Sequence, residues 1–354
     1  MKLSDLDSNF KVESGLENRP GLKYLDAEQA PFKIYGVFRD GDHFARVPLS
    51  VAKTVSEGVT TLSQDTAGGR VRFRTDSPYV AIKCIYNNGR IVSAHIPATG
   101  EKGLDMYELY DGKYTYVNTF IPPVSEVEEY EASRDLLPGQ MHEVIINMPL
   151  YHGVKKLYIG LDGNSSVYPP REYSNALPVV FYGSSITQGG CAARAGMSYQ
   201  GMLSRWLDMD FINLGFSGNA KGEREIVDYF SDIKASVFVC DYDHNAPTPE
   251  HLIETLEPLY RVYREKNPDT PFVFISRPKW LLNQIEWRRH DHIKSVYEKV
   301  KAEGDANVYY IDGRTLTVPG LDDEGTVDHT HPTDLGFYFM AKGMYPLLKE
   351  LLNK

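Results

Sequence analysis

The run Tyr182-Gly183-Ser184-Ser185-Ile186-Thr187-Gln188-Gly189 follows a short apolar stretch, Pro178 to Phe181, and precedes a helical pattern starting near Ser198. A serine placed there sits where a buried strand ends and the turn toward a helix opens. In parallel α/β sheets, that carboxyl edge is where ligands bind. Near the end of the chain, Asp328-His329-Thr330-His331-Pro332 supplies a carboxylate and an imidazole three positions apart, just before the last helical pattern. A serine hydroxyl is a poor nucleophile until a base removes its proton, so it needs an imidazole within reach. The pairing points to serine-dependent acyl transfer with Ser185 as the nucleophile. Alone, Ser184 and Ser185 would read as a helix cap or turn filler.

Two further motifs favour chemistry. Asn213-Leu214-Gly215-Phe216-Ser217-Gly218-Asn219 ends a second strand pattern with two glycines, which allow close backbone approach. Cys240-Asp241-Tyr242-Asp243-His244-Asn245-Ala246-Pro247 ends a third with an asparagine. Successive strand ends on one sheet edge thus supply a serine, a glycine and an asparagine, and the Asp-x-x-His run follows a fifth strand.

This arrangement resembles the SGNH hydrolase superfamily of GDSL-type esterases, named for those four residues and built on a three-layer α/β/α fold. The resemblance implies Ser185 as nucleophile, His331 as base and Asp328 as its orienter. It also implies an oxyanion hole made by the backbone N–H groups of Ser185 and Gly218 and the Asn245 amide. Ser184 stands where the family has aspartate, and Asp243-His244-Asn245-Ala246 replaces Gly-x-Asn-Asp, so only the asparagine carries over there. A narrower resemblance reaches the first half. Gly103-Leu104-Asp105-Met106-Tyr107 is similar to the Gly-x-Asp-Leu-Tyr signature of a β-sandwich that precedes the hydrolase domain in one esterase subgroup. Members of this kind resemble carbohydrate O-acetyl esterases, which implies an acetylated xylan or mannan fragment as substrate. The competing expectations are a short-chain lipase or lysophospholipase, and a carbohydrate-binding protein that has lost activity.

Other residues invite other chemistry. Cys191 lies near Ser185, but a free cysteine is usually an inert small hydrophobe. Asp241, Asp243 and His244, with His329 and His331, match no established metal-ligand spacing, and serine-based hydrolysis needs no metal. No metal and no cofactor are expected. His329 should face away from His331, because adjacent side chains of an extended segment alternate. The Gly-x-Ser-x-Gly elbow fails at Ser185, where Thr187 occupies the second glycine position. Ser276-Arg277-Pro278-Lys279 matches Ser-x-x-Lys only as one chance hit. Trp280, after the fourth strand, is a candidate platform for a sugar ring, set against ordinary packing.

The elements that must position these groups fall into two patterns. From Pro31 to Leu161 the chain is β-rich: Val71–Thr75 alternates apolar and polar, while Val80–Tyr86 and Glu143–Met148 read as central strands. Asn87-Asn88-Gly89 and Asp111-Gly112 are turn signals, and a short helix fits Pro48–Ser56. A jelly-roll-like β-sandwich over residues 1–165 is expected. Asn164–Pro170, with two prolines, reads as the seam. Beyond it strands at 178–182, 211–215, 236–241, 271–276 and 307–312 alternate with helices near 198–208, 222–230, 249–266, 286–303 and 333–352. That alternation predicts a parallel sheet covered on both faces, an α/β/α domain over 176–354.

Composition sets the outer bounds. The 354 residues are 42% hydrophobic with a net charge of −10, which suits a globular chain and opposes phosphate-backbone or anionic-membrane partners. No apolar stretch approaches the ~18 residues needed to span a bilayer. Three cysteines form no disulfide framework, and the first residues carry no signal-like apolar run. A cytoplasmic setting is the resulting expectation.

Overall fold

Alternating residues in the first half close into two antiparallel sheets. The computed structural model describes residues 3–19, 21–87, 93–125 and 127–353, so Asn88 and Gly89 of the first turn signal lie outside the described residues. The strands in order are β1 (Leu22–Asp26), β2 (Lys33–Tyr35), β3 (Phe38–Asp40), β4 (His43–Ala45), β5 (Arg70–Thr75), β6 (Tyr79–Tyr86), β7 (Leu104–Tyr110), β8 (Lys113–Phe120), β9 (Glu129–Asp135), β10 (His142–Asn147), β11 (Val154–Asp162) and β12 (Val167–Tyr168). One sheet runs β1-β11-β6-β9; the other runs β12-β5-β10-β7-β8, with β2 also on β5. Val80, Ile82, Leu157 and Ile159 of the first face Phe73, Met106, Val144 and Ile146 of the second in a shared apolar core. The expected β-sandwich is therefore present, and β6 and β10 are central strands. Asp111 and Gly112, both at positive φ, make the tight β7–β8 hairpin.

The seam differs from expectation. Val167–Tyr168 adds β12 to the outer edge of β5, opposite Thr75 and Arg74, so the sandwich continues past residue 165. The prolines that break regular structure follow this strand rather than precede it.

The second half forms β13 (Val179–Gly183), β14 (Phe211–Gly215), β15 (Val237–Asp241), β16 (Phe272–Ile275) and β17 (Val308–Ile311), all parallel in the order β14-β13-β15-β16-β17. The strands are mainly apolar because both faces are covered, with Asn213 and Asp241 as buried polar exceptions. Val180, Tyr182, Phe238 and Phe274 meet helices Arg224–Asp232, Pro249–Lys266 and Gln284–Ala302 on one side. Val179, Phe181, Val239 and Val273 meet helices Tyr199–Leu207 and Asp334–Leu352 on the other. The three-layer α/β/α domain is thus as expected, with all ten elements within about two residues of their sequence positions. The chain leaves β13 for the edge strand β14 and returns to β15, so strand order reverses at β13. Ligands in such sheets bind at that reversal.

The halves share packing. Leu49–Val55 is the expected short helix, and a second, Glu57–Leu62, follows it, capped by Ser56 accepting from the Val59 N–H at 3.1 Å. Ala52, Val59 and Leu62 of this pair join the core of the α/β domain beside Ile226 and Phe230. The Tyr107 and Tyr116 rings lie under Arg205 and Arg194 at 3.8 and 4.0 Å, so part of the tyrosine-rich β7–β8 hairpin docks on the second half. Among the described residues, no helix is long and apolar enough to cross a membrane.

Candidate active site

β13 ends at Gly183, where any Cβ would run into Thr187 Oγ1 and the Asp241 carbonyl. The chain then turns at once into a single helical turn, Ser185–Gln188, closed by Gly189 at φ +115°. Ser184, at the position where the family carries aspartate, caps this turn: its Oγ accepts from the Ile186 N–H at 3.2 Å. Ser185 is therefore the first residue of the turn, at the end of the strand where sheet order reverses.

Its hydroxyl lies 2.8 Å from His331 Nε2, and His331 Nδ1 lies 2.8 Å from Asp328 Oδ2. With the Nδ1–H donating to the carboxylate, the Nε2 lone pair faces the serine proton. Asp328 Oδ1 also accepts the backbone N–H groups of His331 and Thr330, at 2.8 and 3.1 Å. Burial alone would raise the Asp328 carboxyl, but these hydrogen bonds and the imidazole outweigh it and hold the group below its ordinary value. It stays an anion beside the ring.

The loop carrying these residues closes on itself through a bridge between Thr326 and Pro332 and a 2.8 Å bond from the Val327 N–H to the His331 carbonyl. His329 adopts φ +64° at its tip. The segment is a turn rather than an extended strand, so simple alternation is the wrong reason for separating the two histidines. The turn does so instead, leaving His331 at Ser185 and His329 lining a neighbouring cavity.

Gly218 and Asn245 occupy the loops after β14 and β15. Gly218 is at φ +69° with open space where a Cβ would stand. Asn245 belongs to a one-turn segment, Asp243–Asn245, and its amide donates to the Phe216 carbonyl at 2.7 Å. That bond ties the asparagine to the loop bearing Gly218 and leaves its second amide hydrogen available. Arg289 locks the same turn from below, donating to the carbonyls of Asp243 and Ala246 at 3.0 and 2.9 Å. Asp243 itself lies 3.4 Å from both Arg289 and Arg277, so it serves ion pairing. Asp241 is fully buried, which raises its carboxyl well above the ordinary value, with Asp243 adding to the effect. Burial, and then Arg277 and His331, push His244 well below the usual imidazole range.

Several residues of the site were not visible in sequence. The Tyr151 hydroxyl donates to the Ser185 carbonyl at 3.1 Å. Gln188 donates to Asp65 at 3.0 Å and to the Leu150 carbonyl at 3.2 Å, while its Oε1 accepts the Ser217 N–H at 3.1 Å. The buried Arg46 donates to the carbonyls of Asn213 and Gly215 at the end of β14, at 3.1 and 2.6 Å. His95, also from the first half, brings its ring centroid to 5.7 Å from that of His331. Gln188 stands in the nucleophile run itself, but no local pattern marks the other positions; the docking of the two halves gives them their role.

Cys191 is buried, and burial, then Asp328 and Glu101, push its thiol up to about 12, far from a reactive thiolate. Trp280 is half-exposed and lines a cavity of about 460 Å³ with Leu281, Leu321, Asp323, Val327 and His329. Trp287 instead packs against His290 and under the Arg314 guanidinium at 4.7 Å.

Comparison with known proteins gives a consistent picture. Residues 176–349 match the model of the GDSL-like lipase/acylhydrolase family, and residues 22–167 match that of the N-terminal domain of SGNH-hydrolase-type esterases. A crystal structure of a GDSL-like lipase candidate from Bacteroides ovatus shares 30% identity and a TM-score of 0.84, over 94% of this chain and 98% of its own. The salicylyl-acyltransferase SsfX3 from a tetracycline biosynthetic pathway follows at 19% identity and a TM-score of 0.76, with the same coverage. A family two carbohydrate esterase from Cellvibrio japonicus shares 12% identity and a TM-score of 0.62, again over 94% and 98%. These last two show the common fold. No curated protein matches. On the family models and the Bacteroides ovatus relative, the chain belongs to the GDSL-like lipase/acylhydrolase family of SGNH esterases, in its two-domain form with an N-terminal β-sandwich.

Proposed function

We propose that this chain is a serine esterase that removes O-acetyl groups from carbohydrate, through an acetyl-Ser185 intermediate. The observation that carries the reading is the unbroken chain of 2.8 Å contacts from Ser185 to His331 to Asp328, at the sheet edge. Ser185 Oγ attacks the acetyl carbonyl while His331 Nε2 takes its proton. The same nitrogen then protonates the departing sugar oxygen. In the second half-reaction water gives its proton to His331, attacks the acetyl-enzyme and releases acetate, and Ser185 recovers its hydrogen. The Ser185 and Gly218 backbone N–H groups and the Asn245 amide stabilise the negative charge on the carbonyl oxygen in both tetrahedral species. No cofactor enters these steps.

The carbohydrate reading is supported by the half-exposed Trp280 indole, beside a cavity bordered by the His331 loop. An indole face suits the C–H face of a sugar ring. The Cellvibrio japonicus structure, whose protein is a carbohydrate esterase, shows that the fold accommodates such chemistry. Acetate release from acetylated xylan, mannan and pectin, measured in parallel, tests the reading and names the sugar. The acyl group is tested with a series of p-nitrophenyl esters. Each methylene is worth roughly 10–200-fold in a fitted pocket, so a preference for chains beyond about eight carbons would favour a lipase instead.

A further inference from the structure

The catalytic edge contains a second constellation, which shares His331 with ester hydrolysis and adds two residues that the hydrolysis does not use. The ligand atoms of His95, Cys191 and His331 all lie within 4.8 Å of one another. His95 comes from the first half and is exposed; Cys191 is buried between the halves, its N–H held by the Pro332 carbonyl at 3.1 Å. Bond lengths of about 2.0–2.1 Å to nitrogen and 2.3 Å to sulfur put tetrahedral zinc ligands ~3.3–3.8 Å apart. From separations of at most 4.8 Å the cluster needs a contraction of about 1–1.5 Å or less. Two imidazoles and a thiolate suit borderline or soft ions such as Zn²⁺ and exclude Mg²⁺ and Ca²⁺, which take oxygen.

From this cluster we propose that His95, Cys191 and His331 form a Zn²⁺ site whose occupancy reversibly inhibits the enzyme. The inhibitory half of the proposal rests on reading His331 as the base. Both of its ring nitrogens are already committed, Nδ1 to Asp328 and Nε2 to Ser185. An ion bound to either one removes a contact the base needs. Binding at Nε2 takes the lone pair that accepts the serine proton; binding at Nδ1 displaces the orienting carboxylate. The Cys191 thiol releases its proton to solvent as the metal–sulfur bond forms. Three protein ligands leave a fourth position for water. Because the ligands come from both halves, the site exists only when the sandwich is docked.

The test uses the full chain, stripped with EDTA and titrated with Zn²⁺ and, as a spectroscopic probe, Co²⁺. Zn²⁺ should bind at about one ion per chain, inhibit with the same midpoint, and be reversed by EDTA. Co²⁺ should give a thiolate-to-metal charge-transfer band that Cys191→Ala abolishes. His95→Ala, at an exposed side chain, should raise the Zn²⁺ concentration that halves its own metal-free rate about 10–100-fold or more above that of the parent. A missing thiolate band, or Zn²⁺ sensitivity unchanged in both variants, overturns the site. Binding without inhibition, or activation by Zn²⁺, overturns the inhibitory role. Ser185→Ala separates the metal site from the esterase reading: the Co²⁺ band should persist in it, whereas retained esterase activity in that variant would defeat the esterase reading, and the inhibitory role with it, and leave the site standing.

Discussion

The Asp105 carboxylate accepts the Gly196 backbone N–H at 2.8 Å across the seam between the halves. Its other oxygen accepts the Asn147 amide at 2.8 Å, and Arg194 lies 3.3 Å away while also donating to the Tyr107 hydroxyl. Asp105 and Tyr107 are the aspartate and tyrosine of the Gly-x-Asp-x-Tyr signature. The signature is thus a clasp, holding the loop that leads from the Ser185 turn to helix Tyr199–Leu207.

Asp105→Ala would leave a largely buried guanidinium and two N–H donors without their acceptor. The expected destabilisation is about 3–5 kcal/mol in urea unfolding. Asp105→Asn, which retains one acceptor oxygen, should lose clearly less. Equal losses in the two variants would mean that the charge, which Asn lacks, rather than the shape, which it keeps, carries the clasp.

Asn245→Ala should lower kcat by about 10²–10³, or 2.7–4 kcal/mol of transition-state stabilisation, with little change in KM. The Phe216 carbonyl loses a partner too, so a thermal melt must accompany the kinetics. Near-normal turnover in a folded variant would remove Asn245 from the oxyanion hole.

Asp328→Asn keeps an oxygen for the Thr330 and His331 N–H groups but turns an amide NH₂ toward His331 Nδ1. The imidazole must then carry its proton on Nε2, where it cannot accept from Ser185. A kcat loss of up to ~10⁴ with the loop intact is expected. A mild loss would show that something other than this carboxylate orients the ring.

Asp241 offers a test through pH. Its folded pKa is raised, so between the unfolded value of about 3.9 and the folded value the native state binds more protons than the unfolded chain. Stability is then greatest at low pH within that window and falls as pH rises through it. Asp241→Asn mimics the neutral acid and removes the titration. Its Tm should decline less than that of the parent as pH rises above the unfolded carboxyl value. Parallel Tm profiles would show that Asp241 is ionised in the fold.

Much of this architecture was legible because it is written in local signals. Five β-strand runs such as Val237–Asp241 are mainly apolar, and helix Pro249–Lys266 announces itself with Thr248 as cap and Pro249 at its first position. The nucleophile turn, the Asn245 turn and the Asp328–His331 loop follow such strands, so their residues could be named beforehand. Helix Glu57–Leu62 was missed because it is short and contains Gly58, and its register is set by packing in the other half's core. β12 was missed because two residues carry no period, and only the free edge of β5 makes them a strand. His95, Tyr151 and Gln188 act through long-range contacts that no spacing rule encodes.

The paired helices at Leu49–Val55 and Glu57–Leu62 bear on how such chains can be recombined. Because Ala52, Val59 and Leu62 are bricks in the hydrolase's own wall, a crossover placed in the proline-rich stretch after residue 168 would tear out part of the wall it means to transplant. Functional chimeras should therefore inherit both portions from a single parent, and this lineage should diversify through its rim loops rather than by shuffling its modules.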